Sequence, residues 1–260
     1  MSTLSFRNVW VEYGNQVVLE HINLEIASGT FLSVVGPSGA GKSTLLHLIL
    51  GQQRPTQGSV LLDGKPFPAE PGPDRGIVFQ RYSVFPHLTV LGNVLLGYEL
   101  AERRFTARLL GEPRRKAIEK SLALIAAVGL DQHRDKYPSA LSGGMQQRLA
   151  IAQAIAKRPR VLLLDEPFGA LDPGTRAQMH ALIKPLWRDL KMTIVMVTHD
   201  IKEAFRSCDA ADRARSGATR PTGARTVRRQ DHLRLGPDPR QRGASPRFHQ
   251  GPNGNPAIRR

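Results

Sequence analysis

Nine residues, Gly36-Pro37-Ser38-Gly39-Ala40-Gly41-Lys42-Ser43-Thr44, constrain this chain more than any other stretch. They fit the pattern G-x-x-x-x-G-K-[ST], entered from a mostly apolar run at 31–35 and left through a helical pattern at 45–50. Glycines at 36, 39 and 41 let the backbone curl with its N–H groups pointing inward, a ready anion cradle. A helix starting near Lys42 adds its N-terminal dipole to the same spot. With Lys42 in reach of β- and γ-phosphates and the Ser43 hydroxyl placed for Mg²⁺, the segment predicts a nucleoside triphosphate site.

The chain of 260 residues is long enough for one or two domains with a full core, and 40% apolar residues suit a globular protein. Its N-terminus lacks the basic-then-apolar pattern of a signal peptide, and no run approaches the 18 apolar residues of a membrane span. One cysteine, Cys208, makes no internal disulfide and fits a reducing compartment, most simply as an inert core residue. The net charge of +15 suggests nucleic acid until it is divided along the chain. Residues 210–260 hold 12 Arg, no Lys and 3 Asp, a net of +9. The first 209 keep 25 basic against 19 acidic residues, only +6, so the charge belongs to the tail and no nucleic-acid partner is expected.

Alternation and turn chemistry predict strands at 4–11 and 17–26 joined by a Gly14-Asn15 hairpin, then strands at 31–35, 58–63 and 76–79. The Pro-rich stretch 66–73 and the polar stretch 102–108 read as loops. Helical spacing appears at 89–99, 113–128 and 142–156, so 81–157 reads as a helical insertion in an α/β core. The core resumes with the continuous apolar run Val161-Leu162-Leu163-Leu164, typical of a strand buried on both faces. A helix at 175–190, a strand at 193–197 and a short helix at 201–207 follow. Strands alternating with helices around a phosphate loop imply a parallel sheet.

Two carboxylates, Asp165 and Glu166, end the buried strand at the edge where α/β sheets bind ligands. Asp165 is placed to hold Mg²⁺ together with Ser43, and Glu166 to polarise a water toward the γ-phosphate. His199, in Thr198-His199-Asp200, ends the next strand at the same edge; spacing alone leaves it open between a structural and a γ-phosphate role. Ser142-Gly143-Gly144 before a helical run gives a further set of N–H donors, read either as a plain N-cap or as a second anion site. Tyr13, beside the hairpin turn, is a strand-end aromatic or a base-stacking residue.

Together these segments resemble the ATP-binding subunits of ATP-binding cassette transporters from residue 4 to about 206, with the motifs in family order. The resemblance implies a phosphate-loop core with a mostly parallel sheet, an N-terminal antiparallel β subdomain and an inserted helical subdomain. It implies that Gly36–Thr44 and Asp165 bind Mg-ATP, that Glu166 is the general base, and that Tyr13 stacks on adenine. Gln80 is then a Mg²⁺ neighbour reporting the γ-phosphate to the membrane partner, and His199 the switch histidine. Asp172, in Gly169-Ala170-Leu171-Asp172, falls at a dimer contact, and Ser142, Gly143 and Gly144 meet the ATP of the opposite copy in a head-to-tail homodimer. Met145 departs from the glutamine most common at that position. The segments 72–80 and 167–172 and the pair Leu186-Trp187 look like the nitrate/sulfonate/taurine importer branch. That implies permease subunits gripped near 81–112, an indirectly engaged substrate-binding protein, and a peripheral place on the cytoplasmic face of the membrane. Relatives that work on DNA or the ribosome carry coiled coils or a second cassette, which this sequence lacks.

The expected division is an ATPase domain at 1–209, with core at 1–80 and 158–209 and helical insertion at 81–157, followed by a tail at 210–260. Beyond about Arg206 the resemblance stops, and the tail is rich in Arg, Gly and Pro with little apolar periodicity. It reads either as the product of a shifted reading frame, leaving an ATPase without its last strands, or as a natural disordered Arg-rich tail.

Overall fold

Three short strands buried on both faces decide how this chain layers. The computed structural model describes residues 4–67, 72, 74–80, 84–102, 109–169, 171–200 and 232–234. In chain order the elements are β1 (Leu4–Tyr13), β2 (Gln16–Ile26), β3 (Phe31–Val35), α1 (Lys42–Leu50), β4 (Gln57–Leu62), β5 (Lys65–Pro66) and β6 (Arg75–Val78). After them come α2 (Val90–Glu102), α3 (Gly111–Ala127), α4 (Gly143–Ala156), β7 (Val161–Asp165), α5 (Pro173–Leu190), β8 (Thr193–Thr198) and β9 (His232–Arg234). One sheet is antiparallel, in the order β2-β1-β4-β5, and its hairpin turns at Gly14-Asn15 as the sequence indicates. The other is parallel, in the order β6-β7-β8-β3-β9. This is the expected architecture, with α2, α3 and α4 inserted between β6 and β7.

The strands β3, β7 and β8 are apolar on both faces because both faces are covered. Phe31, Leu162, Leu164, Ile194 and Met196 point into a core shared with α2, α3, α4 and α5. Their neighbours Leu32, Val34, Val161, Leu163, Val195 and Val197 point the other way, against α1 and the antiparallel sheet. The far end of α1 is fixed by Arg75, whose Nη1 donates to Leu50 O at 2.8 Å and to Ile49 O at 3.4 Å. That guanidinium, stacked 4.6 Å from the Phe67 ring centroid, satisfies carbonyls that a helix C-terminus leaves orphaned.

Several expected boundaries shift. Helix α2 continues to Glu102, the residue expected to open a loop, and 103–108 lie outside the described residues. Lys65–Pro66 pairs with β4 instead of starting a loop, because the Asp63-Gly64 turn brings the chain straight back. The helix expected at 201–207 lies outside the described residues. In the tail, three residues join the parallel sheet, with Ser33 opposite His232, Val34 opposite Leu233 and Val35 opposite Arg234. Composition gave no sign of this, since edge pairing is made by backbone groups that every residue carries. The rest of 210–260 lies outside the described residues.

Candidate active site

Strand register builds the site. Val78 lies opposite Leu164, Asp165 opposite Val197, and Val35 opposite Thr198. Two residues beyond β6 stands Gln80; one beyond β7, Glu166; one beyond β8, His199; one beyond β3, Gly36. Parallel pairing therefore sets all four at one edge of the sheet, although they are spread over 164 sequence positions. Gly169 marks their meeting place. A Cβ added there would stand 3.7 Å from Glu166 O, 3.8 Å from His199 Cε1 and 3.9 Å from Gln80 Nε2.

The loop itself is as tight as its sequence suggests. Gly41 takes φ 83°, and a Cβ there would stand 2.8 Å from Leu19 Cδ2 and 2.9 Å from Val18 O, so glycine is required by conformation and by space. Gly39 also has positive φ, whereas Gly36 does not, so the curl expected from three glycines rests on two. Lys42 is buried at the start of α1, and its Nζ donates to Gly36 O and Pro37 O, both at 2.9 Å. Thr44 is buried, while Ser43, Pro37 and Ser38 are exposed and Ala40 is half-buried.

Glu166 joins the loop to the sheet edge. Its Oε1 lies 3.8 Å from Lys42 Nζ and its Oε2 lies 3.2 Å from His199 Nδ1. The residue holds a left-handed backbone, φ 43°, kept there by its N–H donating to Val197 O at 3.0 Å. A non-glycine residue in that region is strained, and strain of this kind collects at functional positions. Burial first, then the neighbouring Glu166 carboxylate, pushes the Asp165 carboxyl above its ordinary range, with His47 and Lys42 pulling the other way.

The remaining expected residues lie elsewhere. Ser142 is the exposed N-cap of α4, accepting from Met145 N at 3.4 Å; that bond is made by backbone, so the unusual Met145 side chain is not needed for it. Gly143 is exposed beside it and Gly144 packs against Thr175, the third residue of α5. Asp172 caps α5, accepting from Gly174 N and Thr175 N at 3.0 Å each. Hydrogen bonding to Thr175 leads the effects that hold its carboxyl below the usual range. Tyr13 is 52% exposed on the hairpin and its hydroxyl donates to Gln53 Oε1 at 2.6 Å. Sequence reasoning missed Arg75 and Arg176, whose partners are backbone carbonyls and a distant Asp200 with no signature in spacing.

Among the described residues no group of three or more His, Cys, Asp or Glu could hold a metal unaided. No helix among them is long and apolar enough to cross a membrane.

Comparison with known proteins identifies the family. Residues 19–169 match the family described as ABC transporter. The bicarbonate transport ATP-binding protein CmpD of Synechocystis is 45% identical over 196 residues, covering 75% of this chain and 67% of that protein. The nitrate import ATP-binding protein NrtD of Synechocystis is 44% identical over 191 residues, covering 74% of this chain and 68% of that one. A solved bacterial ABC transporter cassette, MJ0796, in a dimeric structure, superposes with a TM-score of 0.65 at 36% identity, covering 78% of this chain and 90% of that one. The same cassette, solved in a post-hydrolysis state bound to ADP and Pi, gives 0.64 at 35% identity. This chain therefore belongs to the ABC transporter family, as an ATP-binding cassette whose ATP hydrolysis is coupled to transport.

Proposed function

We propose that this chain drives a membrane importer of small anions, of the nitrate, sulfonate or taurine kind. The named activities of two relatives, bicarbonate transport and nitrate import, support that substrate class. The observation that carries the catalytic part is the row formed by Lys42, Glu166 and His199, with Gln80 at its end.

In this reading the backbone N–H groups of Gly36–Thr44 and the Lys42 ammonium hold the triphosphate, and Tyr13 takes the base. Glu166 accepts the proton of the attacking water on a carboxylate oxygen, while a proton on His199 Nδ1 keeps that carboxylate aimed. The oxygen donors Ser43, Gln80 and Asp165 suit Mg²⁺, which favours few protein ligands together with water and phosphate oxygens. The repulsion between Asp165 and Glu166 favours a cation there. When bound, the ion supplies charge neutralisation at the phosphates.

The exposure of Ser142 and Gly143 at the start of α4, together with the dimeric structure of the related cassette, supports a head-to-tail homodimer in which Ser142, Gly143, Gly144 and Asp172 meet the other copy's ATP. ATP binding closes that dimer and hydrolysis at Glu166 reopens it. Permease subunits dock near 81–112, a substrate-binding protein acts through them, and the chain sits peripherally on the cytoplasmic face of the membrane. The ATPase domain is 1–209, and 210–260 is a tail. A Glu166→Gln variant mixed with ATP and Mg²⁺ is expected to form a stable dimer in analytical ultracentrifugation. A variant that stays monomeric while binding ATP overturns the dimer. Vesicles carrying the co-expressed permease are expected to take up nitrate only with ATP and this chain; uptake of neutral or cationic solutes alone overturns the substrate class.

A further inference from the structure

The first turn of α5 touches three site segments that are far apart in sequence. Asp172 caps this turn. Thr175 presses on the start of α4, since a Cβ on Gly144 would stand 2.6 Å from Thr175 Cγ2. Arg176, the next residue, reaches the third segment. Its Nη1 donates to Asp200 Oδ2 at 2.9 Å and its Nη2 to Leu171 O at 3.2 Å. Asp200 directly follows His199, and its own N–H is held by Thr198 Oγ1 at 3.0 Å. Leu171 shares a peptide bond with Asp172. The Arg176 and Asp200 side chains are only 23% and 30% exposed, so water screens the pair less than it would at the open surface.

We propose that Arg176 is a positioning residue that ties the His199 segment to the Asp172 segment, so that the two half-sites of the dimer respond together. This rests on the dimeric reading above. His199 and Glu166 serve the chain's own ATP, whereas Asp172 and Gly144 face the other copy's. The planar guanidinium holds the carboxylate and the carbonyl at once through a fixed fork, which a lysine, a point charge on a flexible stem, cannot reproduce. A shift of His199 as its γ-phosphate departs is therefore carried to Asp172, and through Thr175 to the start of α4. Contiguous packing of this kind is the physical route by which one site biases another.

The test uses the full chain, with ATP hydrolysis followed against ATP concentration. For the parent protein a Hill coefficient near two is expected, the limit for two coupled sites. Arg176→Met and Asp200→Ala are each expected to lower it toward one and to reduce kcat roughly tenfold, a loss of transition-state stabilisation. Monomer affinity for ATP, measured by fluorescence with a labelled nucleotide, is expected to stay within about twofold, and melting to stay cooperative. The double variant is expected to be no worse than either single one, the mark of two residues acting as one unit. Arg176→Lys is expected to fall between. Unchanged cooperativity in Arg176→Met, or losses that multiply in the double variant, overturns the proposal. So does a matching loss of monomer ATP affinity, which assigns Arg176 to folding alone. If Glu166→Gln fails to dimerise on ATP, the dimer falls and this coupling falls with it. Dimerisation with unchanged cooperativity in Arg176→Met overturns the coupling alone.

Discussion

Two glycine-rich helix N-termini in this molecule, at α1 and α4, are finished differently. At α1 the cradle is closed within one chain: Lys42 is buried, Glu166 and His199 converge on it, and Gly41 is locked against β2. At α4 the corresponding donors lie open, with Ser142 and Gly143 exposed and no basic side chain among Ser142-Gly143-Gly144. The difference teaches that a helix dipole with free N–H groups defines half of a site. What completes it at α1 is a parallel sheet that brings four strand ends into a row. In the dimeric reading proposed above, completion at α4 comes from the other copy.

That contrast can be broken in several ways, beginning with the largest effect. Replacing Glu166 by Gln is expected to lower kcat by roughly 10²–10⁴-fold, as the loss of a general base does, with ATP affinity kept. Steady-state hydrolysis and nucleotide binding measured side by side check it, and a residual rate within tenfold of the parent removes Glu166 from the chemistry. Next, Lys42→Met is expected to weaken ATP binding to the isolated chain by about tenfold or more, the worth of a charge-assisted hydrogen bond. Ser142→Ala is expected to leave that binding unchanged and to lower only hydrolysis at concentrations where dimers form. Equal losses of monomer binding in both variants erase the difference between the two helix ends.

A smaller effect is expected at Asp172. Its replacement by Ala removes the cap of α5 and is expected to lower the denaturant midpoint of unfolding. The folded-state carboxyl titrates below its ordinary 3.8, so this contribution is fully present at neutral pH. It is lost only as pH falls through that lowered value, and an Asp172→Ala penalty that vanishes by pH 6 contradicts the capping role. The smallest change in stability is expected at Asp165, where burial and Glu166 make the charge unfavourable. Asp165→Asn is expected to raise the melting temperature of the nucleotide-free chain by a few degrees while removing hydrolysis, a trade of function for stability. A lower melting temperature indicates that the charge is well solvated.

Much of the site was legible because its chemistry is carried by short contiguous segments. The loop at 36–44, the Asp165-Glu166 pair after an apolar strand and Ser142-Gly143-Gly144 each announce themselves by spacing. The hairpin at Gly14-Asn15 was equally readable, since its turn chemistry is local. Arg75 and Arg176 were not, because their partners are carbonyls at Leu50 and Leu171 and a carboxylate at Asp200, groups without sequence-specific signatures. The strained backbone of Glu166 was also invisible, since φ 43° is imposed by the Val197 carbonyl on a neighbouring strand. Strand β9 was hidden for a related reason: backbone pairing at a sheet edge asks little of the side chains.

By itself, the sequence determined that this chain cradles a triphosphate, that two carboxylates stand at the end of a buried strand, and that helices interrupt an α/β core. Those are properties of neighbours in the chain, set by glycine conformations, apolar periods and caps. Only the tertiary structure decided that β3 pairs with β8 and β8 with β7, across long intervals of sequence. That pairing sets Glu166 between Lys42 and His199, and the packing of α5 joins Asp172, Gly144 and Asp200 around one turn. The reason is physical: register and helix packing are fixed by burial of whole faces, and no single segment contains that information.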